Sequence, residues 1–193
     1  MLYLAITSFL ILAAYIICVC RRIHRIPASI SDTYYLIKHG ALFTVTLDAV
    51  IFLLIPVFIE VSNPGCQWPA FLACAGLGFV ANAPAFKSGM DRKVHITATI
   101  VCALFAQLFV YLHQPWLLMT WILPVAWILY KVWGNYVMND NMLYFSSAKP
   151  AHHVPLTQGA NPLFWIEITA FANTYATIFI RVLTTEVLSY NMT

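Results

Sequence analysis

Four polar side chains interrupt the apolar stretches of this sequence. Asp48 lies in the middle of LFTVTLDAVIFLLI, and Asn82, His95 and Glu167 lie in or at the start of later apolar runs. An acid in hydrocarbon costs at least about 2.5 kcal/mol, so such acids normally face protein, a partner or water. Asp48 and Glu167 are therefore the first candidates for binding a ligand, an ion or a proton.

The composition indicates the elements that hold these residues. Of the 193 residues, 62% are hydrophobic and 9% are charged, which would leave a large exposed apolar surface on a water-soluble domain of this size. A membrane-spanning helix requires about 20 mainly apolar residues. Six segments meet this requirement, at 2–20, 40–60, 68–86, 94–112, 115–133 and 162–182. We predict an all-α fold, a single domain over 1–193 that forms a polytopic transmembrane bundle of six helices, with a long loop at 134–161.

Basic residues predict the orientation of this bundle. Nine of the ten Lys and Arg residues fall in or beside loops on one side: Arg21, Arg22, Arg25, Lys38, Lys87, Arg92, Lys93, Lys131 and Lys149. Only Arg181 falls on the other side. By the positive-inside rule, the basic loops are cytoplasmic and both termini are on the non-cytoplasmic side. Membrane lipid is the expected partner, the net charge of +3 requires no nucleic acid, and a homo-oligomer remains open.

The polar side chains share one depth in this topology. Asp48 lies about 12 Å from the cytoplasmic end of its span, and Asn82, His95 and Glu167 lie near the same ends of theirs. Thr44 lies one helical turn from Asp48 on the same face. The sequence therefore predicts a polar cavity that opens toward the cytoplasmic leaflet and binds or moves a small ligand, ion or proton.

A structural interpretation of the same residues competes with this one. Polar groups between membrane helices also act as interhelical hydrogen bonds, worth about 0.6 kcal/mol each. Asn82, Gln107 and Asn173 fit that role well, whereas Asp48 and Glu167 fit a functional role better, because an amide would join helices equally well. A structural or partner-binding bundle is therefore an alternative function.

Histidines near the predicted cytoplasmic face are candidate metal ligands. They are His39, His95, His152 and His153, the last two adjacent in the loop KPAHHVPLTQGANP. Successive side chains of an extended segment point in opposite directions, so we expect one of the adjacent pair to reach a metal. The nucleotide-binding and serine-hydrolase motifs GxxxxGK[ST] and GxSxG are absent from the sequence. Zinc is the candidate cofactor, and the sequence leaves open whether the protein is an enzyme.

Two resemblances add expectations about function. The run GLGFVANAPAFKSGMDRKVHITATIVCALF resembles small six-span bacterial membrane proteins and, distantly, the DRAM and Frag-type six-span family, which implies a bacterial inner membrane. The histidines with Asp48 are similar to the zinc site of the ceramidase and adiponectin-receptor membrane hydrolases. That resemblance implies a metal-dependent hydrolase acting on lipid, with His39, His95 and His152 or His153 near Asp48. Those families also carry a HxxxH pair and seven helices, and this sequence has neither.

Overall fold

All of the regular structure in the described part of the chain is helical. The structure, a computed structural model, describes residues 1–83, 89–145 and 161–190, and their side chains except at 89, 138–145 and 186–190. The helices are α1 (Leu2–Ile23), α2 (Thr33–Leu36), α3 (Ala41–Val61), α4 (Trp68–Asn82), α5 (Gly89–His113), a 3-10 helix (Pro115–Trp121), α6 (Ile122–Phe145) and α7 (Pro162–Tyr190).

Five helical segments within these ranges are long and apolar enough to cross a membrane. They are Leu2–Ile23, Ala41–Val61, Met90–His113, Pro115–Val137 and Pro162–Thr185. α4 is also apolar, but its 15 residues give a length of about 22 Å, shorter than the typical hydrocarbon core. The chain thus forms an apolar helical bundle of the kind expected for a multi-pass integral membrane protein.

Several predicted boundaries differ from the observed helices; for example, α5 begins at Gly89 and not at 94, and α7 continues to Tyr190 and does not end at 182. The span predicted at 68–86 ends as a helix at Asn82. The span predicted at 115–133 begins as a 3-10 helix, and α6 then continues to Phe145, so the prediction of a loop from residue 134 is wrong for 134–145. Gly134 is the main helix-weakening residue there, and one interior glycine costs only about 1 kcal/mol, which does not end a helix.

Close packing joins the helices that form the centre of the bundle. α4 packs between α3 and α5, while α7 contacts α1, α3, α5 and α6. A Cβ atom added at Gly76 would lie 2.8 Å from the backbone nitrogen of Cys102, so the backbones of α4 and α5 touch at this glycine. Small residues allow membrane helices to approach in this way.

Arg181 fixes the position of α7 at one end of the bundle. Its Nε donates to the carbonyl of Val61 at 2.9 Å, and its Nη2 donates to Oδ1 of Asn63 at 2.7 Å. We call this end the Arg181 end, and we call the opposite end, where α1 stops and α3 starts, the Arg22 end.

The segment between α1 and α3 folds back onto the Arg22 end. We call residues 24–40 the cap. Asn161 donates to the carbonyl of Ile26 at 3.3 Å, and the amide of Phe164 donates to the carbonyl of Ala28 at 3.1 Å. Ile30 is buried, and its amide donates to Glu167. The cap is therefore held by the first turns of α7.

Candidate functional site

A cavity of about 140 Å³ lies between α3, α4, α5 and α7. Ile30 and Ser31 of the cap border it at the Arg22 end, and apolar side chains such as Phe43, Leu77 and Phe171 form most of its wall. An engineered apolar cavity of about 150 Å³ stays dry and binds benzene. The cavity therefore has the size and lining that suit one small apolar group.

Glu167 is the acidic residue in the wall of this cavity. It is the sixth residue of α7, and Leu163, Ala170 and Thr174, which lie one turn before it and one and two turns after it, line the same cavity. This spacing places all four residues on one face of the helix. Its Oε2 accepts the amide hydrogen of Ile30 at 2.5 Å, whereas Oε1 has no donor among the described residues.

Three hydroxyl groups in the wall have partners inside the protein. Thr99 donates to the carbonyl of His95 at 2.8 Å, and Thr174 donates to the carbonyl of Ala170 at 2.9 Å. The hydroxyl of Tyr175 lies 2.6 Å from that of Ser8. The hydrogens of Thr99 and Thr174 are therefore used within the protein, and Glu167 adds a carboxyl group as a stronger acceptor in the wall.

Asp48 has a polar partner on the next helix, but it does not lie in a cavity as the sequence predicted it would. Nδ2 of Asn82, from the next helix, donates to Oδ1 of Asp48 at 3.2 Å and lies 2.9 Å from the carbonyl of Gly78. Thr44 donates to the carbonyl of Ala81 at 2.8 Å. Both Asp48 and Asn82 are exposed on the outer surface of the bundle, so the prediction that Asp48 faces the interior is wrong.

The reason is that α3 is apolar on all sides. Leu47, Val50 and Leu54 are its buried face, yet Val45 and Phe52 on the outer face are equally apolar. Without a polar side, the residue pattern does not indicate which face of a helix is inside. Asp48 belongs to the outer face.

His95, in the second turn of α5, is buried and contacts the residue that follows α4. Its Nδ1 lies 3.0 Å from the carbonyl of Ala83, which directly follows Asn82. Neither His95 nor the Asp48–Asn82 pair lines the cavity. The structure therefore places the predicted residues at three separate locations. Glu167 is at the cavity. Asp48, Asn82 and Thr44 are on the outer surface where α3 meets α4, which we call the seam, and His95 is beside the seam.

The predicted zinc ligands do not form a site in the part of the chain that the structure describes. His39 is exposed, His95 bonds a backbone carbonyl, and no group of three His, Cys, Asp or Glu side chains there could hold a metal ion. A catalytic zinc needs three protein ligands. His152 and His153 lie outside the described residues, so the metal-dependent hydrolase stays a prediction.

A second polar cluster joins the 3-10 helix to α5 and α7. Trp121 donates to Oε1 of Gln107 at 2.9 Å, and Thr120 donates to Oδ1 of Asn173 at 2.7 Å. Nδ2 of Asn173 also lies 3.4 Å from Gln107 Oε1. Gln107 and Asn173 therefore make interhelical hydrogen bonds, as the structural interpretation predicted. Sequence reasoning missed Thr120 and Trp121, because it treated 115–133 as one continuous span.

Comparison with known proteins finds no counterpart for this arrangement: no protein-family model matches the chain, no curated protein matches its sequence and no solved structure matches its fold. The two resemblances in the sequence therefore remain expectations, and the function has to be argued from the geometry.

Proposed function

We propose that this protein binds a small, mostly apolar molecule with one hydrogen-bond-donating group in the cavity beside Glu167. The observation that carries this proposal is a carboxyl group in a mostly apolar wall, with one oxygen bonded by Ile30 and the other without a donor among the described residues. Ligand sites commonly combine an apolar wall with a few polar groups that fix orientation. An acid is also an expensive choice for a purely structural role in a membrane.

The chemistry of the wall favours an amphiphile over an ion. A hard cation requires about six or more oxygen ligands, whereas the side-chain oxygens in the wall belong to one acid, Glu167, and a few hydroxyl residues. A volume of about 140 Å³ accommodates an aromatic ring or a short aliphatic chain with an amino or hydroxyl head. The donor of that head would bond Oε1 of Glu167.

The proposal includes a six-span topology in a bacterial inner membrane. α4 runs antiparallel to α3 over most of its length, since Gln67 before α4 bonds the carbonyl of Ile59 and Ala81 near its end bonds Thr44. A helix that follows a spanning neighbour in this way crosses most of the same thickness. Labelling from each side with an impermeant reagent tests this topology: sites at the two termini are expected on one side and a site near Arg22 on the other, whereas five spans would put the termini on opposite sides.

Ligand binding can be tested with a matched pair of fluorinated probes. 4-Fluorobenzylamine and 4-fluorotoluene differ in the amino group, and their ¹⁹F resonances report binding to purified protein in nanodiscs. We expect the amine to bind more tightly to the native chain. Glu167→Gln removes the charge and should weaken amine binding about tenfold, because hydrogen bonds to charged groups contribute about 1.5–3 kcal/mol. Binding of the toluene should change little.

Two further variants locate the binding. Ala103→Phe fills the cavity and should abolish binding of both probes, since Ala103 is part of the wall. Asp48→Asn is the matched control, because it neutralises an acid that lies outside the cavity. Equal amine binding by the native chain and Glu167→Gln, or probe binding that survives Ala103→Phe, would contradict the proposal.

A further inference from the structure

The outer seam between α3 and α4 has the features of a helix-docking surface. Three large apolar side chains border Asp48 there: Val45 is 63% exposed, Phe52 79% and Phe79 62%. Between them, a Cβ atom added at Gly78 would meet nothing closer than Ile51 at 3.8 Å, so there is unfilled space beside Gly78 on this surface. Small residues beside larger ones let a further helix approach closely in a membrane.

Asp48 distinguishes this seam from an ordinary lipid-facing surface. Its described hydrogen bond comes from Asn82, an amide that cannot neutralise the carboxylate. A charged side chain that faces acyl chains is unfavourable, and membrane proteins normally place such a group against an opposite charge or water. A helix with a cationic side chain at this depth would therefore complement the seam.

α6 is a helix with an exposed apolar surface and a cationic side chain. Of the five candidate spans it is the least buried, and it packs chiefly on α7 and the 3-10 helix. Leu123 and Tyr130 are each more than 60% exposed, and Trp127 is 39% exposed. Lys131 is half-buried and lies on the side of α6 that carries Trp127, with its Nζ 4.7 Å from the ring centre of Trp127.

The two charges lie at similar depths. Arg181 bonds Val61, and Asp48 lies thirteen residues, or about 20 Å along α3, from Val61. On the other side, Thr120 precedes α6 and bonds Asn173, which lies eight residues, or about 12 Å along α7, from Arg181. Lys131 lies a further nine residues, or about 14 Å, along α6 from its start. Lys131 is thus about 26 Å from the Arg181 end, and its long flexible side chain can reach back toward the carboxylate.

We propose that a second copy of this chain docks its α6 into the α3–α4 seam, where its Lys131 pairs with Asp48. The two surfaces belong to different faces of the bundle, since the described part of α6 packs chiefly on α7 and the 3-10 helix. The contact is therefore head-to-tail, and contacts of this type produce closed rings or chains. This inference is independent of ligand binding in the cavity.

Charge exchange between two variants tests the contact. In liposomes, chains with one fluorophore on a carboxy-terminal tag should associate, as measured by energy transfer and by multiple photobleaching steps. Asp48→Lys alone and Lys131→Asp alone each bring like charges together, so each should self-associate at least tenfold more weakly. A mixture of the two variants restores opposite charges at every contact and should associate as the native chain does. Glu60→Lys, an exposed acid elsewhere on α3, is the matched control and should associate normally.

Photocrosslinking identifies the occupant of the seam. p-Benzoylphenylalanine at Phe52, beside Asp48, should form adducts with α6 of another copy, and the same residue at Leu10 of α1 should yield lipid adducts. Monomers at every protein-to-lipid ratio, failure of the mixed variants to associate, or Phe52 adducts confined to lipid would each overturn the proposal. Association with Phe52 adducts on a helix other than α6 would also overturn it.

Discussion

Glu167 and Asp48 lie on opposite sides of the wall that α3 and α4 form. Each acid accepts one described hydrogen bond, from the amide of Ile30 and from the side chain of Asn82 respectively. Glu167 lines a cavity between the helices, whereas Asp48 is exposed at the outer surface. The two acids thus differ in their surroundings more than in their number of partners, and this difference is the basis for the two separate roles that we propose for them.

The largest expected effect compares the two glycines of α4 on these two sides. Gly76→Ala should lower the free energy of unfolding by about 1–3 kcal/mol, because the new methyl group would lie 2.8–3.0 Å from backbone atoms of α5. Gly78→Ala on the outer side should be tolerated, since its methyl group meets only Ile51 at 3.8 Å. Equilibrium unfolding in mixed micelles measures both, and equal destabilisation would contradict the close contact at Gly76.

Glu167 should show the next largest effect on stability. Glu167→Leu leaves the amide of Ile30 without an acceptor, and an unsatisfied buried donor costs about 1–3 kcal/mol. Glu167→Gln keeps a carbonyl oxygen as acceptor and should retain most of the native stability. The same unfolding measurement, with proteolysis of the cap as a second reading, should rank the chains native, Gln, then Leu. A native-like Leu variant would show that the Ile30 bond does not hold the cap.

The interhelical cluster on α7 should show a smaller effect than Glu167. Thr120→Val removes the donor to Asn173 with little change in side-chain shape, and hydrogen bonds between membrane helices are worth about 0.6 kcal/mol on average. We expect a loss of that size in the free energy of unfolding and unchanged binding of the amine probe. Loss of probe binding would mean that this cluster also shapes the cavity.

Asp48 should show the smallest effect on the isolated chain. Asp48→Asn leaves Asn82 bonded to the carbonyl of Gly78, so the unfolding free energy of monomers at high detergent dilution should change by less than about 0.5 kcal/mol. Self-association in liposomes should nevertheless weaken. A large loss of monomer stability would show that Asp48 mainly stabilises its own chain, and it would contradict the proposed difference between Asp48 and Glu167.

The sequence predicted the helical class and the approximate helix positions, since these depend on long apolar runs. The cluster of polar residues was harder, because depth follows from residue count but facing direction requires a polar side, which α3 lacks. The interhelical roles of Gln107 and Asn173 were predictable, because amides join helices at low cost. The role of Ile30 could not be predicted. It bonds Glu167 through its backbone amide, which every residue except proline has, and the two residues are 137 positions apart in the sequence.

The bonds that α7 makes at both ends have a consequence for the order in which the protein assembles. At one end its first turns hold the cap through Asn161, Phe164 and Glu167, and at the other Arg181 holds Val61 and Asn63. Synthesis proceeds from the amino terminus, so the cap and helices α1 to α6 are made before α7. The cap can therefore be fixed in place, and the cavity can gain its α7 wall, only after α7 has been made and inserted.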